Sequence, residues 1–76
     1  MSSRSRSKPN LTAIGLRIRD LRGHMRQEEL APQLGVSQGQ LSKVERGRVV
    51  PTLEMLLGLA NKFGKSLDWI VTGEDH

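Results

Sequence analysis

The sequence predicts an all-α fold of five short helices, and two patterns support this prediction. Apolar residues recur at intervals of three and four, as on one face of a helix, and no segment alternates as a strand does. Serine, threonine and glycine, which favour helix ends, lie where these segments begin and stop. The chain has 76 residues, which suffice for one compact domain.

The first helix is predicted to begin near Leu11, with Thr12 as its N-cap and Gly23 as a left-handed end. Its inward residues are Leu11, Ile14, Ile18, Leu21 and Met25. The second helix is predicted to begin at Gln27 and to bury Leu30, Ala31 and Leu34. Pro32 removes a backbone hydrogen bond from that helix, so we expect a local distortion there.

The stretch VSQGQLSKVERG, residues 36–47, predicts the third helix, which Ser37 caps and Gly47 ends. Leu41 and Val44 define its inward side. Its outward side carries amide, hydroxyl and cationic groups that suit base edges in the DNA major groove, where glutamine matches adenine and lysine matches the acceptors of guanine. Taken alone, the same pattern also fits the solvated face of a small helical bundle.

Two further helices are predicted, one after Thr52 and a short one after Ser66. The inward residues of the fourth helix are Leu53, Leu56, Leu57, Ala60 and Phe63. Core positions are also expected for Leu67 and Trp69. Three more apolar residues, Leu59, Ile70 and Val71, widen the apolar surface beyond what one small core needs. We therefore expect a twofold contact between two copies of the chain.

The positive charge is concentrated in the first third of the chain. Residues 1–26 contain seven basic residues and one acidic residue, whereas residues 27–76 contain five basic and seven acidic residues. This asymmetry indicates a polyanionic partner, although a basic tail and a solvated helix face would give the same count. Residues 1–10 are a predicted disordered basic arm, which either follows a DNA minor groove or only solubilises the chain. Residues 74–76 form an acidic end.

Several classes of site are not supported by the sequence. The chain has no cysteine, so it has neither disulfides nor a thiolate metal site. His24 and His76 have no partner ligands at metal spacing, and no catalytic triad or glycine-rich phosphate loop is present. No metal, cofactor or enzymatic activity is therefore expected. The longest apolar stretch is far below the roughly 20 residues that cross a bilayer, so no membrane association is expected.

The second and third helices have the spacing of a helix-turn-helix. Counted from Gln27, a small residue, a glycine and two apolar residues follow at four, eight, fourteen and seventeen positions. These are Ala31, Gly35, Leu41 and Val44. The small residue allows the two helices to cross closely, the glycine makes the turn, and the apolar pair seats the second helix on the first.

The combination of QEELA, LGVS, ERG, a following proline and SLDWIVTG resembles the phage lambda repressor and Cro-like helix-turn-helix regulators, often called the XRE family. The similarity extends from residue 13 to residue 73. It implies a five-helix lambda-repressor-like DNA-binding domain over residues 11–73, which binds a double-stranded DNA operator as a homodimer.

Carried over position by position, this resemblance assigns base contacts to four residues of the third helix, residues 37–46. They are Gln38, Gly39, Ser42 and Lys43. It implies phosphate contacts for Arg26, Gln27, Gln40, Arg46 and Arg48, and an internal ion pair between Glu45 and Arg22. Arg26 stands where relatives commonly have a serine or threonine N-cap. Gly39 stands where many of them have a contacting side chain.

The sequence therefore predicts a sequence-specific DNA-binding transcriptional regulator, with repression as its expected mode. A dimer would place its two copies of the third helix, the recognition helix, about 34 Å apart, which is one turn of DNA. The alternative is an antitoxin or adaptor whose main role is to bind a partner protein, such as a toxin. In either case the expected location is the cytoplasm.

Overall fold

The computed structural model describes residues 10–74, and within this range it contains five α-helices and no strand. The helices are α1 (Leu11–Arg22), α2 (Gln27–Gln33), α3 (Gln38–Glu45), α4 (Leu53–Phe63) and α5 (Leu67–Thr72). The predicted fold class and helix order are confirmed. The predicted arm, residues 1–10, and the acidic end, residues 74–76, lie outside the described residues except for Asn10 and Glu74.

The helix caps agree with prediction at three of the five N-termini. Ser37, Thr52 and Ser66 each accept a hydrogen bond from the backbone N–H three residues later, at 3.0–3.1 Å. The prediction for α1 was wrong, because Asn10 rather than Thr12 is its N-cap. The Asn10 side chain accepts from the Ala13 N–H at 3.0 Å, and asparagine is at least as good an N-cap as threonine.

Two helix ends depart from the expected geometry. Gly23 ends α1 with a φ of 57° and a ψ of −125°, which lies outside the predicted left-handed helical region. The distortion expected at Pro32 coincides with the end of α2, which stops one residue later. There the Leu34 N–H donates to the carbonyl oxygen of Ala31, three residues earlier, so the last turn is tightened.

Every helix contributes to one core. Its buried apolar residues are Ile14, Ile18, Leu30, Ala31, Leu34, Leu41, Val44, Met55, Leu59 and Ile70. The inward faces predicted for α1, α2 and α3 are confirmed, since their other predicted residues (Leu11, Leu21 and Met25) pack partly buried against this core.

The inward face predicted for α4 is right in part, since Leu56, Ala60 and Phe63 pack partly buried against the core, but it was wrong for Leu53 and Leu57. Met55 and Leu59 are fully buried, whereas Leu53 is 66% exposed and Leu57 is 46% exposed. Apolar residues surround most of this helix, so helical spacing alone does not single out one face. Leu67 is also more exposed than predicted.

The exposed apolar surface expected at Leu59, Ile70 and Val71 lies elsewhere on the molecule. Leu59 and Ile70 are fully buried, so they cannot form a contact with a second copy. Exposed apolar residues lie instead at Val50, Leu53 and Leu57.

The short helix α5 is attached to α1 by a cation at its C-terminal end. Arg17 Nη1 on α1 donates to the Ile70 carbonyl oxygen at 2.9 Å. Positive charge at a helix C-terminus is favourable because the last carbonyl groups carry partial negative charge. Lys65 lies over the ring of Trp69, with its Nζ 4.7 Å from the ring centre. These contacts hold a six-residue helix that is too short to be stable alone.

Helix α1 contacts the last turn of α3 through backbone atoms. A Cβ built on Gly15 would overlap the carbonyl oxygen of Glu45 and would lie 2.6 Å from that of Val44. Gly47, which follows α3 with a φ of 74°, also lies close to Thr12, since its Cβ would lie 2.9 Å from the Thr12 Cα. The glycines therefore allow α1 and the C-terminal end of α3 to meet without intervening side chains.

Gly15→Ala should lower the free energy of unfolding by about 1–3 kcal/mol, because the new methyl group displaces one helix from the other. Gly39→Ala is the matched control. A Cβ at Gly39 meets nothing within 4 Å, so alanine should stabilise α3 by up to about 1 kcal/mol. Urea denaturation followed by circular dichroism measures both. Equal stability of the two variants would contradict the close contact of α1 with α3.

Candidate nucleic-acid interface

Helices α2 and α3 are joined by a tight turn. Gly35 has a φ of 74°, a conformation that other residues rarely adopt, and the Val36 N–H donates to the Ala31 carbonyl oxygen at 3.1 Å. Leu41 and Val44 bury the inward side of α3. The two helices therefore form a helix-turn-helix, and the outward side of α3 faces solvent.

The residues predicted to contact bases lie on this outward side. Gln38, Gly39 and Lys43 are exposed, and Ser42 is half-buried. The residues predicted to contact phosphates lie at the start of α2, within α3 and just after it. Arg26, Arg46 and Arg48 are exposed, whereas Gln27 and Gln40 are half-buried. No other part of residues 10–74 covers the exposed residues of α3.

The predicted pair of Arg22 and Glu45 is present, and its carboxylate is buried. Arg22 Nε lies 2.6 Å from Glu45 Oε2, and its Nη2 lies 3.0 Å from Oε1, so the contact is bidentate. The Glu45 side chain is only 3% exposed. The hydrogen bonding of Arg22 to the Glu45 carboxylate, to which it donates, raises the pKa of Arg22 above its ordinary value. The pair joins the end of α1 to the end of α3.

A third group completes the surroundings of the Glu45 carboxylate. Gln27 Nε2, on the first residue of α2, donates to Glu45 Oε1 at 2.8 Å. Arg22 also donates from Nη1 to the Met25 carbonyl oxygen at 2.7 Å, in the segment between α1 and α2. Among the described residues, no buried side-chain nitrogen or oxygen lacks a hydrogen-bond partner. One carboxylate therefore connects α1, α2 and α3.

The orientation of the Gln38 amide follows from the same carboxylate. A carboxylate can only accept, so the Gln27 amide must turn its nitrogen toward Glu45 and its oxygen away. Gln27 Oε1 in turn accepts from Gln38 Nε2 at 2.7 Å. The Gln38 amide thus keeps one N–H and its carbonyl oxygen for a further partner. This is the donor and acceptor set that matches adenine in the major groove.

Sequence reasoning assigned Gln27 to a phosphate and missed its contacts with Glu45 and Gln38. These contacts join residues that are eighteen and eleven positions apart. Both cross the turn between two helices, and no repeat within one helix indicates them. A signal was available in the residue types, since a bidentate arginine occupies only two of the roughly four lone-pair sites of a carboxylate.

The part of the chain that the structure describes supports neither a metal site nor a membrane-spanning helix. No group of three or more histidine, cysteine, aspartate or glutamate side chains could hold a metal ion there. Residues 10–74 contain no helix of the length and apolar character needed to span a membrane. The α3 surface presents hydrogen-bond donors and positive charge, which suit the recognition of an anionic polymer.

Comparisons with known proteins also identify a helix-turn-helix in this chain. The family described as "Helix-turn-helix" matches residues 17–70. An uncharacterized HTH-type transcriptional regulator of Methanocaldococcus jannaschii, MJ0272, is 35% identical over 52 residues, which cover 68% of this chain and 79% of that protein.

Two solved structures are similar along most of the chain. The P22 c2 repressor, crystallised with a synthetic operator, has a TM-score of 0.73 and 35% identity, covering 80% of this chain and 96% of the repressor chain. The restriction-modification controller protein C.AhdI of Aeromonas hydrophila has a TM-score of 0.68 and 31% identity, covering 79% of this chain and 94% of the controller. The described fold is therefore that of repressor DNA-binding domains.

Arg22→Leu should lower the free energy of unfolding by about 3 kcal/mol, because it leaves the buried Glu45 carboxylate without its counter-charge. The double variant Arg22→Leu/Glu45→Leu should recover part of this loss, since no buried charge remains. Arg19→Leu, an exposed arginine on the same helix, is the matched control and should have little effect. Urea denaturation measures all three. A single variant no less stable than the control would show that the buried pair is unimportant.

Proposed function

The chain belongs to the helix-turn-helix family of DNA-binding transcriptional regulators, and we propose that it binds a specific operator in double-stranded DNA as a repressor. In this proposal α3 enters the major groove. The observation that carries it is the outward side of α3, where donors and acceptors stand free of the core while Leu41 and Val44 anchor the helix from behind.

Four residues of α3 would contact base edges. Gln38, whose amide is oriented by Gln27, would pair with adenine through its free N–H and its oxygen. Lys43 would donate to base acceptors, and Ser42 would add a hydroxyl beside it. Gly39 would bring the helix backbone close to the DNA, because no side chain keeps the two apart.

The phosphate contacts would surround this surface. Arg26 and Gln27 lie at the start of α2, and the second N–H of the Gln27 amide remains able to donate. Gln40 lies on α3, while Arg46 and Arg48 follow it and are exposed. Such contacts fix position on the duplex and provide affinity that is independent of sequence. A regulator of this kind needs neither cofactor nor catalytic group, and it would act on cytoplasmic DNA.

The proposal includes a homodimer, with two recognition helices about 34 Å apart. The surface that supports it is the exposed apolar pair Leu53 and Leu57 on α4. Burial of this surface between two copies would stabilise a pair that contacts both half-sites. The alternative of an antitoxin or adaptor is not favoured by the regulators that the chain matches.

The direct test is selection of bound duplexes from a random DNA pool, repeated at two salt concentrations. A sequence-specific dimer should enrich one motif with twofold symmetry and half-sites separated by about one helical turn. The motif should survive the higher salt concentration, since base contacts depend less on counterion release than phosphate contacts do. Failure to enrich any motif would overturn the proposed function.

Lys43→Ala and Arg48→Ala should change binding in different ways. Lys43→Ala should reduce discrimination between the selected operator and a point mutant of it, by about 1–3 kcal/mol for one base contact. Arg48→Ala should weaken binding to all duplexes by the same factor. It should also reduce the slope of log K against log salt concentration by about one. Lys62→Ala, an exposed lysine at the end of α4, is the charge-matched control. Titrations by fluorescence anisotropy that show no change in either variant would refute the assignment of contacts.

The dimer should be detectable without DNA at high micromolar concentration by sedimentation velocity. Replacing Leu53 and Leu57 together by serine should shift the protein toward the monomer, because it removes exposed apolar area and leaves the core intact. Leu16→Ser, a residue 57% exposed on α1, is the control. A monomeric wild-type protein at these concentrations would count against the proposed dimer.

A further inference from the structure

An open hollow of about 460 Å³ lies beside the outward side of α3. It is lined by Ser37, Gly39, Gln40, Lys43, Val49 and Val50. We name it the α3 hollow. It lies between α3 and the segment that leads to α4, so it belongs to the surface that carries Lys43. The hydrogen bonds among Glu45, Gln27 and Gln38 do not involve the residues that line it.

The lining of the α3 hollow combines an apolar wall with donors. Val50 is 69% exposed, although valine is usually buried, and Val49 beside it is half-buried. Lys43 is exposed, and its ammonium group can donate hydrogen bonds but cannot accept them. A ligand that fits should therefore present an apolar group beside a hydrogen-bond acceptor.

Gly39 supplies the open space. A Cβ at this position would meet nothing within 4 Å, and the residue lies within a regular helix, so neither packing nor backbone conformation requires glycine. Glycine destabilises a helix relative to alanine. The absence of a side chain is therefore best explained by the room that it leaves for a ligand.

Among the four bases, only thymine offers this combination in the major groove. Thymine presents the O4 acceptor beside its 5-methyl group, whereas guanine presents two acceptors and no methyl group. Adenine presents the N7 acceptor but no methyl group, and cytosine presents an amino group, from which the lysine ammonium cannot accept, and no methyl group. We propose that the α3 hollow binds the edge of a thymine, with the methyl group against Val50 and Gly39 and with O4 accepting from Lys43.

This inference rests on the proposed function and narrows it. Lys43 alone does not distinguish thymine from guanine or adenine, since all three bases present acceptors in the major groove. The valine wall favours thymine, because burying a methyl group against valine lowers the free energy of binding. Guanine has no methyl group to bury there. Val50 therefore becomes a residue that determines specificity, although it lies outside the recognition helix.

The test uses the selected operator and replaces each thymine of a half-site in turn. Uracil removes the methyl group alone, and 5-methylcytosine, paired with guanine, keeps the methyl group and replaces O4 by an amino group. For one thymine in each half-site, uracil should weaken binding about four-fold, the contribution of one buried methyl group. At the same position, 5-methylcytosine should weaken binding about ten-fold or more, since it sets an amino group against Lys43.

Two variants connect these effects to the α3 hollow. Val50→Ser should bind the thymine and uracil operators equally, and Lys43→Ala should lose most of the discrimination against 5-methylcytosine. Val50 is exposed, so its replacement should leave the folded structure intact. Leu16→Ser, an exposed apolar residue that lines a separate hollow on α1, should keep the full response to uracil. Dissociation constants from fluorescence anisotropy at one salt concentration provide the comparison.

Several results would overturn the inference while the proposed function stands. They are a selected half-site without thymine, an operator in which no thymine responds to uracil, and an unchanged uracil response in Val50→Ser. If Val50→Ser weakened all duplexes alike and no thymine responded to uracil, the hollow would hold the sugar–phosphate backbone instead. Failure to bind any duplex selectively would overturn the proposed function and this inference together.

Discussion

The buried carboxylate of Glu45 is the constraint on which the arrangement of the first three helices depends. Its charge is matched by Arg22 from α1, and its remaining acceptor capacity is used by Gln27 from α2. A carboxylate in an apolar interior is unfavourable unless it is both paired and hydrogen-bonded. Any shift of α1 or α2 relative to α3 would remove one of these partners. The requirement to satisfy one charge thus fixes three helices together.

The close backbone contact of Gly15 holds the same end of α3. It brings α1 against the carbonyl oxygens of Val44 and Glu45, so that the last turn of α3 is held by packing as well as by charge. The N-terminal part of α3 is held separately, by the turn at Gly35 and by the burial of Leu41. The helix is therefore fixed at both ends, and Gly39 and Lys43 on its outward side take no part in holding it. This separation lets the exposed surface serve a ligand.

The sequence was sufficient to predict much of this fold and less of the site. The spacing of Ile14 and Ile18 and the capping serines predicted helices because both signals are local to one element. The inward face of α4 could be predicted only in part, since leucines surround that helix and the neighbouring helices decide which of them is buried. The resemblance indicated the partner of Glu45, but nothing in the sequence indicated the contact of Gln27 with Gln38. That contact depends on how two helices cross, which no pattern within one helix encodes.

The chain of hydrogen bonds from Glu45 through Gln27 to Gln38 has a consequence for the divergence of such a protein. Lys43 and Gly39 can be exchanged without disturbing any internal partner, so the bases they face are open to change by single mutations. Gln38 is different, because its replacement leaves Gln27 Oε1 without its donor. A new preference at that base step would therefore also change the contact between the two helices of the motif. Evolution of binding preference should be rapid at some positions of α3 and slow at its first residue.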